Sequence, residues 1–351
     1  MLKRPNWLGV KPRDKNFLWL DKNENTDAEY LKWIKINIIE KVLPTDLSTY
    51  PDLHDFYFNL AEMENVLPDN LLLAQGSDGC IRAVFQTYVK EGDVVFITNP
   101  SFAMYDVYCK IFKAEAFKIE YRNVESEIKF NFNFLLENIA KKKPKLVCLP
   151  NPDSPTGTIL SEAEILNLLL ICKANNSILL IDEAYFPFYY YTSKVLINEF
   201  DNLIVCRTFS KAWGLAGIRV GYLLSNNYQI ALMNLSRPMY EIGAIQLRIV
   251  EEIISYQYKM KESVNKIIEG KMYFEEQMKK AGLNVLQTFG NFSHVDFGNN
   301  KKRITDRLDK LVLYRKEFFH PALKGYSRFS SGPISIMKNV VEIIKKANEK
   351  I

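Results

Sequence analysis

The stretch Arg207–Tyr222, which reads RTFSKAWGLAGIRVGY, decides the fold class of this chain. Lys211 follows two hydroxyl-bearing residues, Thr208 and Ser210, and Arg219 lies eight residues beyond it. Hydroxyls, backbone N–H groups and an arginine are the donors that bind a phosphate group. A lysine beside that phosphate can also form a Schiff base with an aldehyde of the same ligand. The alternative interpretation, a solvated loop with an ordinary surface lysine, does not explain the flanking sequences. LIVC before the stretch and IRVGYLL at its end predict buried strands.

The composition is that of an ordinary globular protein of one large domain, or of a large and a small one. The chain has 351 residues, of which 48% are apolar and 25% are charged. Its net charge is +5, and no run of like charges is longer than Lys141–Lys143, which argues against a nucleic-acid partner. We expect no signal peptide, because the N-terminal residues contain no apolar core, and no membrane span, because the longest apolar runs are too short to cross a bilayer.

The cysteines and histidines argue against a metal site. The cysteines are odd in number, scattered and without a C-x-x-C pair, so they predict reduced core residues of a cytoplasmic protein: Cys80, Cys109, Cys148, Cys172 and Cys206. There are three histidines, which leaves little material for a metal site or a Ser-His-Asp triad.

Two further segments predict parts of the same site. A strand at Leu71–Ala74 runs into Gly76-Ser77-Asp78, which begins a helix, and a helix start after a strand is an anion site. A second strand, Ile178–Ile181, ends at Asp182, where α/β sheets bind their ligands. A buried carboxylate at that point can stabilise a protonated nitrogen in the ring of a bound ligand. The alternative interpretation is that Asp182 only caps a helix.

The motifs, in this order, resemble fold-type-I aminotransferases that use pyridoxal 5′-phosphate (PLP). They are most similar to the histidinol-phosphate aminotransferase branch, and the resemblance covers most of the chain. It implies an α/β fold with a mostly parallel central sheet flanked by helices in a large domain, plus a smaller α+β domain. We assign 43–256 to the large PLP-binding domain, and 1–42 with 257–351 to the small one.

The resemblance implies roles for individual side chains. Lys211 would hold the cofactor as a Schiff base and carry protons as general base and acid, and Asp182 would pair with its ring nitrogen. Tyr185 would reach the ring oxygen, and Phe102 would stack on the ring. The implied phosphate ligands are Gly76, Ser77, Asp78, Thr208, Ser210 and Arg219, joined by Tyr50 of a neighbouring subunit. The last of these implies a homodimer.

One position departs from the family pattern. Residues 151–157 read NPDSPTG, where the family reads N-P-x-N-P-T-G and its second asparagine binds the ring oxygen. Ser154 stands at that position, and its shorter side chain would hold the ring less tightly. The departure puts in doubt a plain histidinol-phosphate substrate, though not the cofactor.

Two arginines near the C-terminus suggest the substrate class. Arg328, in SRFSSG, resembles the family arginine that binds a carboxylate, and Arg315 aligns with the one that contacts phosphate. The function implied is transfer of an amino group from a donor such as glutamate to a small phosphorylated keto acceptor. Two alternatives stay open: a decarboxylase of a phosphorylated amino acid such as phosphoserine or phosphothreonine, and a PLP-binding protein without activity. Asn23 fits either a turn or a role at the site's mouth.

Overall fold

The computed structural model describes residues 12–348. Most strands are short apolar runs of three to six residues. In chain order they are β1 Leu18–Leu20, β2 Leu71–Ala74, β3 Val94–Asn99, β4 Glu115–Glu120, β5 Arg122–Val124, β6 Glu127–Lys129, β7 Leu146–Pro150, β8 Ile178–Asp182, β9 Leu203–Thr208, β10 Gly221–Leu224, β11 Asn284–Leu286, β12 Phe292–Asp296, β13 Val312–Tyr314 and β14 Tyr326–Ser330.

The α-helices connect these strands and cover them. They are α1 Ala28–Asn37, α2 His54–Glu64, α3 Gly76–Tyr88, α4 Ala103–Ile111, α5 Phe132–Lys142, α6 Glu162–Ala174, α7 Asn227–Asn234, α8 Ala244–Ile254, α9 Gln257–Lys280, α10 Lys301–Leu308 and α11 Ile334–Asn348. The sequence Ser161-Glu162-Ala163-Glu164 predicts a capping box, and it is present at the start of α6, where Ser161 and Glu164 exchange hydrogen bonds. No helix within residues 12–348 is long and apolar enough to cross a membrane.

A seven-stranded sheet forms the larger part of the fold. Its order is β2-β10-β9-β8-β7-β3-β4, with β10 antiparallel to both neighbours and the other adjacent pairs parallel. Side chains alternate between two cores, so that Leu179 and Ile181 face one layer of helices and Leu180 faces the other. Because parallel strands end at the same edge, the segments after β3, β7, β8 and β9 meet there.

A smaller part combines the two ends of the described chain. Strands β11, β12 and β14 form an antiparallel sheet, and β1 pairs in parallel with β13. Neither β1 nor β12 was predicted, because β1 has only three residues and β12 buries Ser293 and His294 between its apolar positions.

The division of the chain into two domains at residues 42/43 and 256/257 stays a prediction. The packing of the side chains near these boundaries is as follows. Tyr30, Ile34 and Ile38, of α1 and its C-cap, pack in the larger core. Helix α9 contributes to both cores, with Val264 in the larger and Phe274 in the smaller one. Apolar residues at helical spacing predict a helix over Ala28–Val42, but the observed helix ends at Asn37 and a 3-10 turn over Ile39–Lys41 follows.

A buried ion network ties the strand ends near the site to α2. The Arg207 guanidinium donates to Glu64 at 2.8 Å and to Glu183 at 2.9 Å, and all three side chains are almost wholly buried. Lys194 donates to Glu64 at 2.8 Å. Since Glu183 follows Asp182 and Arg207 precedes Thr208, the network holds the backbone beside two predicted site residues.

Replacing Arg207 by methionine should lower the free energy of unfolding by about 3–5 kcal/mol. Two buried carboxylates would lose the cation that lies between them, whereas methionine fills part of the same volume. Chemical denaturation followed by circular dichroism measures the change. The matched control is Lys302→Met, because the Lys302–Asp306 pair is exposed and removing it should cost less than about 1 kcal/mol. Equal losses in both variants would contradict the role given to the network.

Candidate active site

A cavity of about 630 Å³ opens at the carboxyl edge of the large sheet. The structure brings eleven of the predicted site residues to its wall together with Phe102: Ser77, Asp78, Ser154, Asp182, Tyr185, Thr208, Ser210, Lys211, Arg219, Arg315 and Arg328. Gly76 lies directly behind this wall, whereas Tyr50 lies elsewhere on the surface. Residues far apart in sequence therefore converge on one site.

The Lys211 side chain is half-buried in the cavity. Its Nζ donates to the backbone oxygen of Lys22 at 2.8 Å and lies 6.0 Å from the centre of the Tyr185 ring. Burial lowers the pKa of this amine, and the cations Arg328 and Arg219 lower it further. A larger share of the amine is thus neutral near neutral pH, which is the form that attacks a carbonyl carbon.

Asp182 is a buried carboxylate with neutral hydrogen-bond partners. The Tyr105 hydroxyl donates to Oδ2 at 2.9 Å, and the Ala184 N–H donates to Oδ1 at 3.0 Å. Burial raises the pKa of Asp182 to about 6, although both hydrogen bonds oppose the rise. A cation in the cavity would favour the ionised form. Tyr105, on α4, was not foreseen, because only the sheet order places it beside β8.

Tyr185 and Ser154 form a hydroxyl pair on another part of the wall. The Tyr185 hydroxyl lies 3.3 Å from Ser154 Oγ and accepts from Asn23 Nδ2 at 2.8 Å. Asn23 was left open between a turn and a site role. The structure places its side chain, buried and at positive φ, against this pair.

Thr208, Ser210 and Arg219 form one hydrogen-bonded group. The Thr208 hydroxyl donates to Ser210 Oγ at 2.9 Å, and Arg219 Nη1 donates to the same atom at 3.1 Å. Because Ser210 Oγ accepts both bonds, its own proton is directed elsewhere. The group therefore presents a hydroxyl and a guanidinium to an anion.

The start of α3 packs closely against this group. Gly76 has φ +68°, and a Cβ there would lie 2.4 Å from Arg219 Nη2. A Cβ on Gly221 would lie 2.7 Å from the Ser77 nitrogen. Gly76 is required chiefly by its positive φ, whereas Gly221 is required by the close approach of the backbone at Gly76 and Ser77. The Asp78 carboxylate accepts from the Tyr108 hydroxyl at 3.0 Å, so one of its oxygens is engaged by α4.

Arg315 directly follows β13, Arg328 lies in the middle of β14, and the backbones of the two residues exchange hydrogen bonds. Arg328 Nη2 donates to the Asp21 backbone oxygen at 3.0 Å, and its buried Nε has no protein partner among residues 12–348. Arg315 lies 5.1 Å from the centre of the Phe318 ring. Phe318, Phe319 and His320 also line the cavity and had no sequence signal.

The cavity carries an excess of positive charge. Lys211, Arg219, Arg315 and Arg328 line it, and within residues 12–348 none of them lies within 4.0 Å of a carboxylate. Asp21, at the mouth, is paired with Arg13 at 2.8 Å. Lys22 also lines the cavity and has no carboxylate within 4.0 Å among residues 12–348, so five unpaired cations indicate a ligand with more than one anionic group.

Comparison with known proteins decides the family. Residues 15–344 match the family described as aminotransferase class I and II. The chain belongs to this family. It is 35% identical over 294 residues to a histidinol-phosphate aminotransferase of Caldanaerobacter subterraneus subsp. tengcongensis, with 82% of each chain covered. The resemblance predicted from the motifs of this aminotransferase is confirmed.

Solved structures show the same fold. The histidinol-phosphate aminotransferase of Sinorhizobium meliloti, in complex with pyridoxal-5′-phosphate, has a TM-score of 0.80 at 22% identity, covering 94% of this chain and 90% of that one. The L-threonine-O-3-phosphate decarboxylase of Porphyromonas gingivalis has a TM-score of 0.76 at 18% identity, covering 95% of this chain and all of that one (100%). The predicted α/β fold class of this aminotransferase is confirmed, and the fold alone does not separate the two reactions.

Proposed function

We propose that this aminotransferase uses PLP to move an amino group from a donor such as glutamate to a small phosphorylated keto acceptor. The observation that carries the proposal is that one cavity contains both cations without carboxylate partners and a buried carboxylate without a cationic partner. Lys211 and three arginines lack a carboxylate partner there, and the buried Asp182 carboxylate has neutral partners. A ligand with a phosphate, an aldehyde and a basic ring nitrogen would satisfy both sets.

The residues present fit this cofactor. Thr208, Ser210 and Arg219 would hold its phosphate together with the first amides of α3, which have no partner inside a helix. The Asp182 carboxylate would accept a hydrogen bond from the protonated ring nitrogen. Burial raises the pKa of Asp182, and this cationic partner would offset the rise and keep the carboxylate ionised. When bound, PLP supplies the electron sink that stabilises negative charge at the substrate Cα.

Individual side chains of the protein would then have separate roles in the reaction. Lys211 is the nucleophile, and its amine carries the proton to and from the substrate. Asp182 keeps the ring nitrogen protonated, and Tyr185 and Ser154 hold the ring oxygen. Phe102 meets Tyr105 edge to face with ring centres 6.1 Å apart, and its ring would stack on the cofactor ring.

Arg315 and Arg328 support an acceptor with two anionic groups. Arg328 is the deeper of the two, and burial together with Arg315 lowers its pKa, which an anion would reverse. A guanidinium binds a carboxylate or a phosphate in a bidentate manner. We therefore assign Arg328 to a carboxylate or its equivalent and Arg315 to the substrate phosphate.

A homodimer is part of the proposal. The Tyr50 side chain is 76% exposed and stacks on Tyr240 at 4.3 Å between ring centres. Leu47, Phe58 and Met239 are also exposed, on the chain segments that carry Tyr50 and Tyr240, and exposed apolar side chains of this kind suit a protein partner. In the proposed dimer Tyr50 would reach the cofactor phosphate bound in the neighbouring subunit. We also propose that the enzyme is cytoplasmic.

The visible spectrum of the PLP-loaded protein tests the reaction. Glutamate should remove the visible absorbance band, and a phosphorylated keto acceptor should restore it. A spectrum that ignores glutamate while phosphoserine or phosphothreonine releases CO₂ would favour the decarboxylase instead. A protein that stays colourless with PLP would contradict the cofactor itself.

Mixed subunits test the position of Tyr50. Lys211→Ala and Tyr50→Ala homodimers should each have low activity, because one lacks the amine and the other a phosphate ligand. After random exchange of subunits, about a quarter of the sites should be intact, since half of the dimers are hybrids with one complete site each. The control is Tyr190→Ala, which removes another exposed tyrosine and should leave activity unchanged. No recovery on mixing would contradict a role for Tyr50 across an interface.

A further inference from the structure

A glutamate outside the predicted site bridges two parts of the cavity wall. Glu120 ends β4 and is paired in the parallel sheet with Asn99, which ends β3. Asn99 Nδ2 donates to both carboxylate oxygens of Glu120, at 2.9 and 3.0 Å. On its other side, Glu120 Oε2 lies 3.0 Å from His320 Nε2, 200 residues further along the chain. Glu120 therefore links the large sheet to the loop that follows β13.

Both ends of this bridge belong to the cavity. Asn99 directly precedes residues 100–102, a segment of the cavity wall that ends with Phe102, the predicted stacking residue. His320 is itself part of the wall, in the segment 318–320. The bridge thus connects the wall that would face the cofactor ring with the loop that begins at Arg315.

The hydrogen bonds of His320 determine which of its ring nitrogens carries the proton. The Ala322 N–H donates to Nδ1 at 3.2 Å, so Nδ1 is the bare nitrogen. Nε2 therefore carries the proton and donates it to Glu120 Oε2. Only 16% of the His320 side chain is exposed, and the two hydrogen bonds together fix the orientation of its ring.

The position of His320 affects the proposed ligand of the substrate phosphate. Phe318, two residues before His320, is buried in a small apolar core that includes Tyr121, the residue after Glu120. The centre of the Phe318 ring lies 5.1 Å from the guanidinium carbon of Arg315. A shift of this loop would therefore move the aromatic surface beside the Arg315 guanidinium.

We propose that Glu120 is a positioning residue for the substrate phosphate, because it holds His320, and with it the loop that carries Phe318 and Arg315, at a fixed distance from residues 100–102. The inference rests on the proposed function, which assigns the substrate phosphate to Arg315. Glu120 and His320 take no part in the chemistry and act by setting the geometry of the wall. Loss of the bridge should weaken the binding of phosphorylated substrates and leave that of unphosphorylated amino acids unchanged.

Phosphoserine and serine are suitable probes, because they differ only in the phosphate group. Competition of each probe with glutamate in the turnover of the PLP-loaded protein gives two inhibition constants, and their ratio measures the preference for phosphate. Glu120→Ala should weaken phosphoserine binding by about three- to ten-fold, the range of one net hydrogen bond, and serine binding by less than about twofold. His320→Ala should have the same effect, because it breaks the same bridge.

A double variant tests whether the bridge acts through Arg315. Arg315→Ala alone should remove most of the preference for phosphoserine. Adding Glu120→Ala should change the ratio by less than about 1.5-fold, because the guanidinium that the bridge positions is then absent. Losses that simply multiply in the double variant would overturn the proposal, since they would show that Glu120 acts independently of Arg315.

Two further variants serve as controls. Glu120→Gln keeps an oxygen that can accept from His320 Nε2, so it should lose less of the phosphate preference than Glu120→Ala does. An equal loss in both would contradict the role given to this hydrogen bond. Glu115→Ala removes an exposed carboxylate at the opposite end of β4 and should leave both inhibition constants unchanged.

Failure of this inference can be distinguished from failure of the proposed function. A wild type that binds phosphoserine no more tightly than serine contradicts the proposed phosphate site. A wild-type preference that Glu120→Ala and His320→Ala both keep contradicts the bridge alone. Thermal unfolding of each variant checks that the fold is intact, and His320→Ala decides the result if Glu120→Ala is unstable.

Discussion

Lys211→Ala should lower glutamate-dependent turnover by at least about a thousand-fold. The variant removes the nucleophile and the proton carrier together, and positioned proton transfer alone contributes about 10²- to 10⁴-fold. Steady-state transamination with a phosphorylated keto acceptor measures the loss. PLP should still bind through the phosphate contacts, but its absorbance should remain that of the free aldehyde.

The matched control is Lys302→Ala, whose amine is exposed on α10 and far from the cavity wall. Its turnover should equal that of the wild type. Adding a small primary amine to the Lys211→Ala protein should restore part of the activity, because it replaces the missing base. Normal turnover in Lys211→Ala would refute the assignment of this lysine.

Asp182→Asn should lower kcat by about 10²- to 10³-fold, the size of an effect from one buried electrostatic contact. It should also change how PLP affinity depends on pH. In the wild type the affinity should fall about tenfold for each pH unit below about 6, because protonation of Asp182 in the free protein removes the charge that attracts the ring nitrogen's cation. Above that pH the carboxylate is ionised and its contribution is complete.

The variant supplies the reference for this pH dependence. Asparagine cannot ionise, so the slope of affinity against pH should differ by one between wild type and variant below pH 6. Other titrating groups, the phosphate included, are common to both proteins and cancel in the difference. Dialysis against PLP at several pH values measures both curves, and parallel curves would show that Asp182 does not bind the ring nitrogen.

The sequence predicted the large sheet well because its signals are local. Buried strands such as β8 are unbroken apolar runs, and the capping box at Ser161 marks the start of α6. In the smaller part, the apolar run before Arg315 predicts a strand over Val312–Tyr314, and β13 has the same bounds. The site residues between Thr208 and Arg219 also lie in one short stretch, so their grouping needs no long-range information.

The remainder depends on contacts that no local pattern contains. The sequence pattern predicts a strand over Val285–Phe289, whereas the observed β11 is shorter, Asn284–Leu286, and β12, which the sequence did not predict, follows it. Tyr105 meets Asp182 across 77 residues, and its position follows only from the sheet order. The position of Asn23 beside Tyr185 could not be foreseen either, because the two are 162 residues apart.

The pairing of Asn23 with Ser330 sets when the site can form during synthesis. The two residues are separated by 307 positions, so this contact can form only after almost the whole chain has been synthesised. The large sheet can form earlier, because its last strand, β10, ends at Leu224. A nascent chain halted before β14 would therefore carry Lys211 and Asp182 on a folded sheet, while the segment around Asn23 would still lack its anchor. Nascent enzyme should acquire its cofactor-holding geometry only at the end of translation.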